Sequence, residues 1–206
     1  MSNFCPFNIT TVSPASVPLI TMLCRTAGIR ETVNQMVSWN DTNSRISPGL
    51  LIETLIICIL CERRPLWKVH KFWNKQDMDM LFPGVDIFLK NPVYLGPIYL
   101  QSKRRINALG YVFILALLVA SYLEYRVRKS LREQNKYLVW PRGHKNYRPS
   151  LQTIFEVLDL IKVLIVDGER RYFPRDIDRQ ALEMVKWAGF DPADVYLKHL
   201  PMSIIS

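Results

Sequence analysis

Two hundred and six residues make room for one ordinary domain or two small ones. Apolar residues are 49% and charged residues 22%, which argues against wholesale disorder and against a multi-span membrane protein. Thirteen prolines beside only eight glycines argue against a collagen-like or linker-rich chain. The net charge of +9 calls for an anionic partner or surface, and it is concentrated. Residues 86–149 hold 12 basic and 3 acidic residues, whereas residues 1–85 amount to +2 and residues 150–206 to −2.

Residues 1–16 are polar, carry Pro6 and Pro14, and read as a poorly ordered lead-in. Pro18 to Ala27 reads as a short helix ended by Gly28, and Ile29 to Val37 as a second. A loop follows at Asn40–Ser44. Ser47 as N-cap with Pro48 at the first helical position opens an apolar helix, which Glu62-Arg63-Arg64-Pro65 stops. Leu66 to about Gln76 is expected to form a two-faced helix. Leu66, Val69, Phe72 and Trp73 make its apolar side, and Arg64, Lys68, Lys71 and Lys75 a basic one.

Asp77 to Val85 is a turn of helix before Pro83-Gly84, and the chain is irregular from there to Leu100. Ser102 then caps a long helix, Lys103 to about Asn135. Trp140–His144 is a loop and Ser150 caps a helix to about Leu160. Lys162–Val166 and Arg170–Phe173 flank Asp167-Gly168 as a hairpin. Asp176 to Trp187 is a helix ended by Gly189, and Asp191-Pro192 starts a last short one. The fold class expected is mainly α: an N-terminal helical bundle resembling a helix-turn-helix, a long apolar helix, and a C-terminal α+β piece with one β-hairpin. The expected domains are 17–85, for DNA binding, and 86–206.

Asn107 to Leu123 is seventeen uncharged, mostly apolar residues with basic flanks, at the lower edge of the ~20 residues that span a bilayer. Glu124 follows at once and the helix runs on among charges, so the favoured reading is a core helix buried on all sides. The alternative is a small basic membrane protein with its single span at 107–123. No basic start with an apolar core opens the chain, so a cytoplasmic location is expected. Cys58 and Cys61 have CxxC spacing but stand in an apolar run with no second pair, which favours buried reduced thiols over a metal or redox site.

Catalytic constellations are not found. His70, His144 and His199 lack a nucleophile's context, and His70 reads as a surface residue. The carboxylate pairs Asp77/Asp79 and Asp176/Asp178 at i, i+2 point apart on a helix and suit helix N-termini better than a metal. No catalytic residue, metal ligand, cofactor or small-molecule substrate is expected. The basic helix is the strongest functional signal, because Arg64, Lys68, Lys71 and Lys75 along one side would neutralise DNA phosphates. The competing reading is a solvated face.

Two blocks resemble an insertion-sequence transposase of the DDE superfamily, in the group with a Tyr-Arg-Glu-Lys signature. The first is Ala27-Gly28-Ile29 through Trp39, then Ile46-Ser47-Pro48-Gly49 and Cys61-Glu62-Arg63-Arg64-Pro65-Leu66-Trp67-Lys68-Val69. It is similar to the family's N-terminal helical domain. The second is Phe88-Leu89-Lys90-Asn91-Pro92, Pro97-Ile98-Tyr99-Leu100, Arg105–Leu109, Glu124–Arg128, Arg148-Pro149-Ser150 and Val166–Arg171. It is similar to the family's C-terminal end.

In the family a ribonuclease-H-like catalytic domain lies between these blocks, and its carboxylates hold Mg or Mn for DNA cutting and joining. Here the blocks meet near Gly84–Ile87. Lys90 fits the signature Lys, but counting back places Gln76, Asp79 and Pro83 where Tyr, Arg and Glu would stand. The resemblance therefore implies an internally deleted transposase with no complete ribonuclease-H-like domain, unable to cut DNA. The partners it implies are DNA at element ends, an intact relative, or a second copy meeting through exposed apolar surface.

Overall fold

The computed structural model describes residues 8–39, 46–62, 69–83, 85, 102–139 and 143–200. Among them the chain is mainly helical with a small sheet, and it divides into two compact units. One comprises Val17–Leu123 and His199–Ser206; the other comprises Met1–Ser16 and Glu124–Lys198. The division falls inside the long helix rather than at the 85/86 boundary that the two motif blocks suggest.

The first unit is built on α1 (Val17–Thr26), α2 (Ile29–Met36) and α3 (Pro48–Cys61). Gly28, at φ 64°, makes the turn from α1 into α2. The start of α3 is as expected: Ser47 Oγ accepts the Leu50 N–H at 3.2 Å and Pro48 occupies the first turn. Gly49 donates its N–H to Asn34 Oδ1 at 2.8 Å, and a Cβ there would collide with the Arg30 backbone carbonyl of α2. The helix pair therefore approaches as closely as it does because residue 49 has no side chain.

Glu62 leaves the helix in an extended conformation. The stop at Arg63-Arg64-Pro65 and the irregular stretch up to Leu100 lie largely outside the described residues. α4 covers Val69–Trp73 and α5 covers Met78–Leu81, with the Asp77 carboxylate accepting the Met80 N–H at 3.2 Å. Phe72, Trp73 and Phe82 stack edge-on beneath them, with ring centroids 4.8 and 5.5 Å apart. His199 and Leu200 return to this unit. His199 Nδ1 lies 2.9 Å from the Asp79 carbonyl, and the Leu200 N–H donates to the Met80 carbonyl.

α6 runs from Lys103 to Glu133, close to the expected span. Its surroundings are not those expected. Only 28% of its most apolar 18-residue window is buried, so it is not a core helix wrapped on all sides. Val112, Ala116, Val119, Ala120 and Leu123 form a narrow buried stripe at helical spacing. Tyr111, Phe113, Ile114, Leu117, Leu118 and Tyr122 are exposed. An apolar run specifies what a helix can bury; the number of neighbours decides what it does bury.

In the second unit the expected lead-in contains a strand. β1 (Ile9–Val12) pairs antiparallel with β4 (Val163–Val166), from Ile9↔Val166 to Val12↔Val163. Ile-Thr-Thr-Val is β-branched and suits a strand, but its partner lies about 150 residues away, beyond the reach of local pattern. The hairpin to β5 (Arg170–Tyr172) forms where expected, but Val166 pairs with Arg170, so its loop is three residues rather than the two of the expected turn, with Asp167 and Gly168 both at positive φ and sheet order β1-β4-β5. A second, very short ladder, β2 (Leu138–Val139) with β3 (Lys145–Asn146), brackets the expected 140–144 loop and adds a hairpin to the one expected.

The helices here are α7 (Leu151–Leu158), α8 (Arg179–Trp187) and α9 (Pro192–Tyr196), capped by Ser150, Asp178 and Asp191. The α8 cap is Asp178, so that helix begins later than the expected Asp176. Glu124 accepts the Leu151 N–H at 2.5 Å, where a carboxylate meets the α7 N-terminus. Arg128 pairs with Glu124 at 3.0 Å and donates to the Pro149 carbonyl at 2.9 Å. Arg126 lies over the Phe190 ring at 4.9 Å. Part of the basic charge of the middle third is thus engaged in holding this unit together.

Candidate nucleic-acid interface

The described part of the basic helix expected over 66–76 is α4, which ends at Trp73 rather than at Gln76 as its last turn tightens. The Lys75 and Gln76 N–H groups donate to the Phe72 and Trp73 carbonyls, three residues back. Val69, Phe72 and Trp73 are buried; Lys71 and Lys75 are exposed, Lys71 on the helix and Lys75 in the turn after it. Arg64 and Lys68, the other half of the expected basic side, lie outside the described residues, as does the tight turn a helix-turn-helix would need. Lys90, the signature position, also lies outside them.

Phe82, which packs on Trp73 of α4, also meets a buried ionic core. Glu53, in the middle of α3, is completely buried and meets two guanidiniums: Arg25 of α1 at 3.3 Å and Arg30 of α2 at 2.5 Å. Arg25 also donates to the Leu81 carbonyl at the end of α5, and both guanidiniums stand over the Phe82 ring, 5.1 and 5.7 Å from its centroid. Burial pushes the Glu53 carboxyl upward, against the two arginines that pull it down, and burial lowers Arg25. One carboxylate therefore ties α1, α2 and α3 together, and Arg25 carries the tie to α5. This core is structural. Its signal in the sequence is that Glu53 is the sole charged residue between Pro48 and Cys61.

The remaining candidates sort by surroundings. Cys58 is buried and Cys61 half-buried on the last turn of α3, neither in a disulfide, and burial raises the Cys58 thiol well above an ordinary one, as it does Cys24 of α1. His70 is half-buried rather than a surface residue, because the apolar side of α4 turns it partly inward, and its Nδ1 is buried. Asp77 and Asp178 serve helix N-termini, as their spacing suggests.

The metal chemistry implied by the resemblance does not fit the residues present. Of the counted-back positions only Asp79 has a carboxylate, and it is exposed on α5. Among the described residues, no three His, Cys, Asp or Glu side chains converge. No family model, no curated protein and no solved structure matches this chain.

Proposed function

We propose that this chain is an internally deleted insertion-sequence transposase that retains a DNA-binding face and cannot cut or join DNA. The observation that carries the reading is the order of its motif blocks. Ser47-Pro48-Gly49 and Arg63-Arg64-Pro65-Leu66 precede Lys90-Asn91-Pro92 and Glu124–Arg128, with Gln76, Asp79 and Pro83 where the signature's Tyr, Arg and Glu would stand. Losing the carboxylates removes the groups that would hold two divalent ions at the scissile phosphate. The DNA-binding side is Arg64, Lys68, Lys71 and Lys75, of which Lys71 and Lys75 are exposed. In a cytoplasmic setting such a chain would occupy element ends or join an intact relative there.

The test is fluorescence anisotropy with duplex DNA across a salt series, with Arg64→Ala/Lys68→Ala/Lys71→Ala alongside. Each phosphate contact contributes about 0.9 to the slope of log affinity against log salt, so the variant should lose roughly two to three units of slope. Unchanged binding in the variant removes this surface; cleavage of element-end DNA by the purified chain with Mg or Mn removes the whole reading.

A second reading, a single-span membrane protein with its span at 107–123, draws support from the openness of α6, whose 18-residue window has a mean hydropathy of 2.1. Membrane pelleting that resists carbonate would favour it; a soluble pool would not.

A further inference from the structure

The side of α6 between Lys103 and Leu123 that faces away from its buried stripe carries more exposed large apolar side chains than any other described element. Tyr111, Phe113, Ile114, Leu117, Leu118 and Tyr122 are each between 42% and 69% exposed. Together they present several hundred Å², at or above the roughly 300–600 Å² of the largest patch on a typical monomer.

We propose that this face is covered by the same face of a second copy, with the two α6 helices antiparallel. Asn107, Tyr111, Ile114, Leu118 and Ser121 follow one another in steps of four, three, four and three, all exposed. Such alternation makes a seam that stays in contact with a partner helix over several turns. Centred on residue 116, an antiparallel pair sets Ile114 against Leu118 and the large Tyr111 against the small Ser121, at both ends of a two-fold interface. A parallel pair would stack Tyr111 on Tyr111 and leave Ser121 opposite Ser121, with a gap between. The uncharged stretch is also bounded by Lys103-Arg104-Arg105, so salt screens the repulsion between copies and does not weaken the pair.

The inference is independent of the DNA reading and is tested on DNA-free, nuclease-treated full chain. Sedimentation velocity at micromolar concentration should show a dimer that persists in high salt, whereas DNA-bridged association would fall away. Ile114→Lys/Leu118→Lys should sediment as a monomer with unchanged far-UV helicity, because both side chains are exposed in the single chain. A monomeric wild type, or a dimer that the double variant leaves intact, overturns the proposal. Wild type that floats with phosphatidylcholine/phosphatidylserine vesicles and shows no dimer without them assigns the face to lipid, and overturns it equally.

The orientation has its own readout, with native thiols a common background. Tyr111→Cys mixed with Ser121→Cys should form disulfide-linked dimers severalfold faster than either variant alone. Equal rates in the three samples overturn the antiparallel pairing.

Discussion

α3 and α6 are both apolar along much of their length, and α3 buries what α6 leaves open. α3 buries Leu50, Leu55, Ile56, Ile57 and Cys58, and takes Glu53 inside with them. α6 buries a stripe of mostly small and β-branched side chains and exposes the bulky ones. The difference is not in hydropathy but in neighbours. α3 is short enough to be flanked by α1 and α2, and Gly49 lets α2 come into backbone contact with it. Over its 31 residues α6 is about 46 Å long, more than the short helices of this chain could wrap. A long apolar helix with few neighbours along it keeps much of its apolar surface exposed.

That contrast can be broken most directly at its ionic centre. Glu53→Ala strands two buried guanidiniums and should cost about 3–5 kcal/mol, read as the shift in a urea unfolding curve. A loss below about 1 kcal/mol would mean that α3 is held by apolar packing alone. Gly49→Ala forces α2 and α3 apart and should cost about 1–3 kcal/mol by the same measurement, with no change at the α6 face. If it is neutral, the close approach at Arg30 is not what wraps α3.

The mildest test uses the thiols. Burial holds Cys24 and Cys58 neutral in the folded chain, while in the unfolded chain they ionise near pH 8.5. Because the folded values are raised, their contribution is full below the unfolded pKa and declines as pH rises above it. Stability should therefore fall by about 1 kcal/mol per thiol for each pH unit beyond ~8.5. Cys24→Ala should remove about half of that slope; an unchanged slope would show that the alkaline loss has another origin.

Much of the helical order was legible because helix ends are written locally. Ser47-Pro48, Ser150 and Asp191-Pro192 cap the helices they were read to cap, and Asp167-Gly168 turns its hairpin. Three features were not legible, each for a non-local reason. β1 pairs with a strand far along the chain. Glu53 finds its arginines on two other helices, so its i+4 neighbours say nothing of it. The openness of α6 was not legible in its apolar run; only the resemblance, with its missing catalytic middle, implied an exposed apolar surface. Of the proposed interface residues, Lys71 on α4 and Lys75 in the turn after it were legible as the polar side opposite Val69, Phe72 and Trp73, which are buried.

The long-range pairing of β1 has a consequence for how the chain is made. At roughly 5–20 residues per second, about 8–30 s separate the synthesis of Ile9–Val12 from that of Val163–Val166. Throughout that interval the first strand has no partner, while α1 to α3, local in sequence, can already close around Glu53. The β4–β5 hairpin then forms within moments of emerging, and its open edge receives a strand that has been waiting since the start. A newborn chain stalled after α3 has emerged and before residue 163 thus trails an unpaired β-branched segment beside a finished bundle, the kind of loose edge that chaperones hold and that aggregation exploits.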